Sequence, residues 1–226
     1  RLVVIDECQG NIAYDWSGIG NTGTITIGAS GTQNSLGTCA VGTSAAWTNG
    51  ASGHINSSLN LDGTDDYVDA GTNPSLNFGT TDYSISLWAK RNNLTGTQIL
   101  VDKRASEYVG FVVFFSGTNL YLRGNGSGHD VSLTSAITDT RWHQITITNY
   151  RKGEKAIFID GIKRQSIIYD SSSLDINSNY SLKFSKEYSQ SNYFFNGQID
   201  DVRIYNYALT SEQVKQIYNG GSVSFN

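Results

Sequence analysis

Trp88 and Phe114 occupy positions in predicted strands where an aromatic ring would bind a ligand rather than fill a core. In YSISLWAK (residues 83–90) alternation places Trp88 on the polar side of the strand, and in GFVVFFS it separates Phe114 from Phe111 and Phe115. Outward aromatic rings stack on apolar faces of ligands such as sugars. The two rings are predicted to form a binding platform; the alternative is a minor core covered by a loop or by the N-terminal segment.

Two polar loops carry the other candidate ligand-binding residues. Variable loops on a rigid β-scaffold are where binding residues usually lie, and amides, carboxylates and phenols bind sugar hydroxyls. The alternative is a pair of ordinary polar loops at the rim of the fold. The candidates are Lys103, Glu107 and Tyr108 in VDKRASEYVG, and Glu187, Tyr188 and Tyr193 in SKEYSQSNY.

Carboxylates and histidines are not spaced for catalysis. Glycoside hydrolysis needs two carboxylates about 5–9.5 Å apart, whereas EKAIFID separates Glu154 from Asp160 by an apolar run. His54, His129 and His143 have no spacing with a serine or cysteine that indicates nucleophilic catalysis, and His143 is interpreted as structural. We therefore predict that the protein is not an enzyme.

Composition excludes several other classes. The 226 residues include 16 basic and 20 acidic side chains, for a formal charge of −4, which argues against a nucleic-acid partner. Charged residues are 16% and aromatic residues 12% of the chain, unlike a disordered protein. No apolar run approaches the roughly 20 residues that span a bilayer. The absence of Met at position 1 indicates a processed piece of a longer product.

Cys8 and Cys39 are the two cysteines of the chain, and both lie in its Gly-, Thr- and Ser-rich N-terminal part. A disulfide between them would contribute about 3–4 kcal/mol by closing the loop in the unfolded state. The alternatives are two unrelated buried thiols or, less in keeping with the scattered histidines, a zinc site. We predict the disulfide.

Short segments of alternating polarity predict about 12–14 antiparallel strands. Asp160-Gly161 in KAIFIDGIKRQSI predicts a hairpin, and LTSEQVKQIYNGG predicts one helix with a capping box from Thr210 and Gln213. The fold class is therefore all-β, a two-sheet antiparallel sandwich with one short C-terminal helix. A single domain is predicted over 1–226, with 1–50 an irregular, disulfide-tied segment and 51–226 the main sandwich.

Three segments in order resemble the laminin-G-like, concanavalin-A-like jelly-roll superfamily, with pentraxins as more distant relatives. They are SLNLDGTDDYVDAG, the stretch from YSISLWAKR to RWHQITIT and FIDG, and FNGQIDDVRIYNYALTSEQVKQIYNGG. With AYDWSGIGNTGTITIGA before them, the resemblance covers about residues 13–221. It implies a jelly roll that binds glycans or proteins and has no catalytic activity. The E-x-D-x-E run of same-fold glucanases is absent from this sequence.

The resemblance also implies a structural calcium ion. The ligand set carried over from the family is Asp200 in QIDDVRIY, the Asp62-Gly63 turn, and Asp15 from the N-terminal segment. Calcium binds six to eight hard oxygens, including backbone carbonyls. The alternative is that Asp200 and its neighbour Asp201 form surface ion pairs with Arg203 or Lys183, which would contribute little.

The acidic run DGTDDY has a simpler interpretation. It lacks the twelfth-position Glu and the flanking helices of an EF-hand. Asp65 and Asp66 are therefore expected in a solvated turn.

These observations predict a noncatalytic, lectin-like carbohydrate-binding module of a secreted or cell-surface protein. Its partner would be a polysaccharide or glycoconjugate. The alternative is a protein-interaction or structural adhesive domain, with a protein partner or the neighbours in a pilus-like filament. Membrane insertion of this segment and nucleic-acid binding are not expected, and the predicted location is extracellular.

Overall fold

Two antiparallel sheets form the body of the protein in a computed structural model, which describes residues 7–39, 46–48, 54, 57–107, 109–124, 130–189 and 192–220. The all-β prediction is confirmed. The described part contains fifteen strands, slightly more than predicted, because several have only two or three residues. One sheet, in spatial order, consists of β1 (Ile12–Ala13), β2 (Gly23–Thr26), β5 (Tyr67–Asp69), β14 (Lys183–Phe184), β7 (Thr97–Asp102), β8 (Phe111–Ser116), β9 (Asn119–Gly124) and β10 (Val131–Leu133). The other consists of β13 (Ile162–Ile168), β12 (Glu154–Ile159), β11 (Trp142–Asn149), β6 (Tyr83–Arg91), β15 (Asn196–Tyr205), β4 (Ser58–Asp62) and β3 (Trp47–Thr48).

The main core lies between the two sheets. In β6 the alternation places Ile85 and Leu87 in this core, and Ile145 and Ile147 of the neighbouring β11 join them, as predicted. From the eight-stranded sheet, β8 contributes the face that carries Phe111 and Phe115. The period-two pattern therefore gave the inward faces correctly, because successive side chains of a strand point to opposite sides.

A second apolar cluster lies on the outer face of the seven-stranded sheet, where the C-terminal helix α1 (Ser211–Tyr218) packs. Thr210 accepts a hydrogen bond from the Gln213 amide, and the Gln213 side chain accepts one from the Thr210 amide, so the predicted capping box is confirmed. The amphipathic face of the helix explains why residues on the polar side of β6 and β11 are buried. The cluster comprises Ala156, Phe158, Tyr205, Leu209, Val214 and Ile217.

The β12–β13 hairpin is also confirmed. Asp160 and Gly161 connect the strands with φ angles of 53° and 75°. Two successive left-handed residues are the requirement of a type I′ turn, which Asp-Gly satisfies at low cost.

The N-terminal segment is more regular than predicted. It contributes β1 and β2 to one edge of the eight-stranded sheet and β3 to one edge of the seven-stranded sheet. Cys8 and Cys39 form the predicted disulfide, with Cα atoms 4.9 Å apart. The assignment of residues 1–226 to one domain, with a boundary near residue 50 between its two parts, stays a prediction. Among the described residues, no helix has both the length and the apolar character needed to cross a bilayer.

Candidate functional site

Trp88 does not belong to an open platform. Its side chain is 5% exposed, because the imidazole of His54 stacks on it with ring centroids 3.3 Å apart and Tyr218 of α1 lies 5.6 Å away. The prediction that Trp88 forms part of an exposed binding platform is therefore wrong. The alternative of a minor core holds for Trp88 but not for Phe114, and the C-terminal helix, which the alternative did not include, contributes to the cover.

Phe114 remains on the outer face of the eight-stranded sheet, and its ring is partly exposed. Tyr121, directly opposite on β9, stacks on it with ring centroids 5.0 Å apart and planes 10° apart. The guanidinium of Arg123 lies 5.4 Å from the Phe114 ring. Arg123 also pairs with Asp130 at 2.9 Å and with Glu107 at 3.7 Å. We call these five residues the β8–β9 platform.

The sequence analysis missed most of this platform. The signal was present in NLYLRG, where alternation puts Leu120 and Leu122 inward and Tyr121 and Arg123 outward. Cross-strand pairing then decided which outward rings meet, and pairing is not readable from one strand alone.

The two predicted loops do come together, around the guanidinium of Arg104. Its Nη2 donates to Asp102 at 2.7 Å and to Glu187 at 2.9 Å, and its Nη1 contacts Glu107 at 3.4 Å. The ring of Tyr188 lies 4.9 Å from the guanidinium. Since the Arg104, Asp102 and Glu187 side chains are at most 8% exposed, this cluster holds the loops in place.

Lys103 is also buried, contrary to its predicted role as a ligand-binding cation. Its Nζ donates to the carbonyl oxygens of Ser178 and Tyr180 at 3.1 and 2.9 Å. Burial lowers the pKa of the Lys103 ammonium to about 8. Carbonyl dipoles thus replace the water around this ammonium, and it is not available to a ligand.

The remaining candidate positions differ in accessibility. Glu107 is 51% exposed and Tyr193 is 38% exposed. Glu187 is buried, which removes it from the surface that was predicted for it. Tyr108 lies outside the described residues.

The calcium ligands carried over from the family do not converge. Asp62 lies opposite Asn196 of β15, whereas Asp200 lies opposite Trp88, four residues farther along the same strand. That separation corresponds to about 13 Å at 3.3 Å per residue. Asp15 accepts hydrogen bonds from the amides of its own loop, Ser17 and Asn21. The prediction failed because it placed Asp200 beside the early turn without the register of β15.

Asp200 and Asp201 are buried rather than exposed, at 0% and 5% of their accessible surface. A register shift interrupts β15 between Asp200 and Arg203. Asp201 accepts a hydrogen bond from Arg203 at 2.8 Å, so the alternative ion pair exists, but inside the fold rather than on the surface.

Asp62 does converge with two carboxylates outside that set: Asp62, Asp65 and Asp66 each offer an oxygen, and these atoms lie within 4.8 Å of one another. Asp66 is fully buried, so the prediction of a solvated turn is wrong for it. We call these three residues the carboxylate cluster. It fastens the N-terminal segment: Gly28 donates to Asp66, Ser30 to Asp65, and Thr32 and Gln33 both donate to Asp62, at 2.7–3.0 Å.

Close approach explains the glycines of this segment. A Cβ at Gly28 would overlap the Asp65 carboxylate, and one at Gly31 would overlap that of Asp62. The sequence showed a Gly-rich stretch and an acidic turn, but only the tertiary structure joins them.

The donor chemistry of the carboxylate cluster fits a hard cation. Burial, reinforced by the negative charges of Asp62 and Asp65, raises the pKa of Asp66 to about 6. Five of the six carboxylate oxygens accept backbone N–H groups. The sixth, Asp65 Oδ1, is buried and has no hydrogen-bond partner among the described residues. A buried oxygen in that situation favours an added cation or water.

Comparisons with known proteins agree with the architecture. The sequence profile of a family in the concanavalin A-like lectin/glucanases superfamily matches residues 62–215. A search of curated proteins found no match. Among solved structures, the binding domain of Paraclostridial Mosquitocidal Protein 1 superimposes with a TM-score of 0.69 and 20% identity over 96% of this chain and 51% of that one.

Binding domains of Botulinum neurotoxin DC superimpose as well. The one solved in complex with SialylT gives a TM-score of 0.66 and 18% identity over 97% of this chain and 51% of that one. The one solved with rat synaptotagmin II gives a TM-score of 0.55 and 19% identity over 75% of this chain and 41% of that one. The chain thus spans about half the length of these structures or less, and at such identities the likeness concerns the fold.

Proposed function

We propose that this chain, which belongs to the concanavalin A-like lectin/glucanase superfamily, is a noncatalytic carbohydrate-binding module of a secreted or cell-surface protein. Its partner is a polysaccharide or glycoconjugate. The observation that carries the proposal is the β8–β9 platform, where the stacked rings of Phe114 and Tyr121 lie among charged groups able to bind hydroxyls. The neighbour that was solved with SialylT supports a glycan as ligand on this fold.

The noncatalytic part of the proposal is supported by the state of the acids. Asp102 and Glu187 are buried and both pair with the guanidinium of Arg104. Acids held in this way are poor candidates for the proton donor and nucleophile that glycoside hydrolysis needs. The disulfide supports an oxidising, extracellular location.

The experiment is a screen of the domain against immobilised polysaccharides and glycoconjugates in millimolar calcium. We expect a bound glycan, and we expect Phe114→Ala and Arg123→Gln to weaken it by about tenfold or more, since truncation of a central contact commonly costs that much. Tyr150→Ala, which removes a 49% exposed ring elsewhere, is the matched control. Absence of binding to every glycan, or full binding by both platform variants, would refute the proposal.

A second candidate function is supported by strand β13. It is an edge strand of the seven-stranded sheet, and it exposes Ile162 at 65% and Ile168 at 87%. Edge strands pair readily with other chains, which would suit an adhesive or filament-forming domain. If this is the function, the domain self-associates with concentration in analytical ultracentrifugation, Ile168→Lys abolishes the association, and no sugar competes with it.

We propose that the carboxylate cluster binds calcium. This cluster replaces the ligand set that was carried over from the family. Asp62, Asp65 and Asp66 would hold the ion, and its charge would offset the burial and the mutual repulsion that together raise the pKa of Asp66 to about 6. The ion would act structurally, by strengthening the attachment of the loop at residues 28–33 to the Asp62–Asp66 turn.

A further inference from the structure

The N-terminal segment forms an open cleft of about 570 Å³ at the edge of the eight-stranded sheet, next to β1. This volume falls within the range of small-ligand sites, roughly 300–1,000 Å³. Besides Gly10, the residues that line it are two aromatic, three planar polar and one aliphatic side chain: Tyr14, Trp16, Glu7, Gln9, Asn11 and Ile12.

Trp16 is the most exposed large aromatic side chain of the described residues, at 73%, and Tyr14 beside it is 49% exposed. Rings this accessible contribute little to the core, because burial is the source of their stabilisation. Their exposed faces are the surfaces on which a pyranose ring stacks, with its hydroxyls directed to amides and a carboxylate.

The backbone under these rings is firmly held. The Asp15 carboxylate accepts hydrogen bonds from Ser17 and Asn21, which fixes the loop that carries Trp16. Glu7 accepts a hydrogen bond from the Tyr14 amide at 2.9 Å. The cleft is therefore ordered before any ligand arrives, which reduces the entropy lost on binding.

Two further contacts anchor the floor of the cleft to the core. The buried indole of Trp47 donates to the Gly10 carbonyl at 2.8 Å, and the Ile25 amide donates to that of Asn11 at 2.8 Å. The Cys8–Cys39 disulfide fixes the entry to this stretch. A mobile surface loop would have none of these restraints.

Charge restricts the class of ligand. Glu7 is the one charged side chain among the described residues that line the cleft, and Asp15 precedes Trp16. An acidic sugar would bring its own carboxylate against these two, and none of the described residues that line the cleft supplies a cation to bind it. We propose that the cleft is a second binding site, which takes an uncharged hexopyranose unit of a glycan chain, with Trp16 and Tyr14 as the stacking surface. This site is independent of the β8–β9 platform.

Tryptophan fluorescence provides a direct test. The probes are cellotetraose, laminaritetraose, mannotetraose and N-acetylchitotetraose, with 3′-sialyllactose as the acidic comparison. Trp47 and Trp88 are buried and Trp142 is half-buried, so stacking on the far more exposed Trp16 should appear as a blue shift of the emission, and the loss of that shift in Trp16→Phe assigns it to this ring. We expect the shift with at least one neutral probe and none with sialyllactose.

Variants assign the site. Trp16→Ala should weaken binding of the neutral probe by about tenfold or more in calorimetry, whereas Trp16→Phe should bind within a fewfold but without the blue shift. Tyr14→Ala should weaken binding as well, and Tyr150→Ala, at a position with the same 49% exposure, is its control. Phe114→Ala should leave this binding intact, which separates the cleft from the platform. Absence of binding by all four neutral probes, or unchanged affinity in Trp16→Ala, would overturn the inference.

Discussion

His143 Nδ1 lies 2.7 Å from Asp160 Oδ2, at the turn that joins β12 to β13. On the other side of the ring, Nε2 lies 3.0 Å from Asp139, which also pairs with Arg141. The hydrogen bond to Asp160, with that to Asp139, raises the pKa of His143, while Arg141 and His143 lower the pKa of Asp139. The sequence analysis interpreted His143 as structural, and it did not predict that this residue bridges two acids.

This bridge predicts a pH-dependent stability. Because the folded pKa of His143 is raised, its contribution is fully present below the unfolded value of about 6.5 and is lost as pH rises through the folded pKa. The contribution of Asp139 is present above about 3.9 and is lost as pH falls below it. The wild-type Tm should decline above neutral pH, and His143→Gln should remove that decline. Asn is also compatible with the left-handed turn position, so Asp160→Asn should keep the fold and shift the decline in Tm to lower pH. Identical curves of Tm against pH for all three proteins would contradict the assignment of the decline to His143.

Calcium should raise the Tm, and chelation should lower it, if the carboxylate cluster binds the ion. Asp65→Asn should abolish this response, since it removes the charge beside the unpartnered Oδ1. Asp170→Asn is the matched control, because Asp170 also accepts a backbone amide in an exposed loop but lies outside the cluster. A calcium response that survives in Asp65→Asn would place the ion elsewhere.

Trp88→Ala should reduce the free energy of unfolding by about 3–5 kcal/mol, the usual cost of truncating a buried aromatic residue. The reason is its burial between His54 and Tyr218. Trp16→Ala, at a 73% exposed position, should change it by less than about 0.5 kcal/mol. Urea denaturation of both variants measures the contrast, and equal losses would mean that the helix does not cover Trp88.

Arg91→Met should stabilise the protein. Arg91 is 1% exposed and stacks 4.1 Å above Phe115, and none of its guanidinium nitrogens has a hydrogen-bond partner within the described part of the chain. Burial lowers its pKa to about 10. Removing an unsatisfied buried polar group should recover about 1–3 kcal/mol. Arg91→Lys keeps the charge and should give no such gain; a loss of stability in Arg91→Met would reveal a partner for the guanidinium.

Loss of the disulfide should lower stability as well. The double variant Cys8→Ser/Cys39→Ser should unfold at lower urea, with a loss of about 3–4 kcal/mol from the loop-closure entropy. Intact-mass measurement of the wild type should show no free thiol before reduction. An unchanged urea midpoint would mean that the hydrogen bonds to the carboxylate cluster suffice to hold the segment.

Local patterns predicted the parts of this protein that depend on neighbours in the chain. Alternation gave the inward face of β6, Asp160-Gly161 gave the hairpin, and Thr210 with Gln213 gave the start of α1, because each depends on the geometry of a few successive residues. The same patterns gave the outward position of Phe114 but not its partner Tyr121.

The positions of the candidate site residues depended on strand register and on which segments pack over each sheet face. Asp62 and Asp200 both looked available for one ion, yet the pairing of β15 separates them, whereas the turn between β4 and β5 brings Asp65 and Asp66 to Asp62. Trp88 faces outward from its strand, but a helix some 120 residues later in the sequence covers it. The sequence by itself determined which side of each strand is apolar; the tertiary structure alone decided which outward faces remain in water, since that depends on contacts between segments distant in the chain.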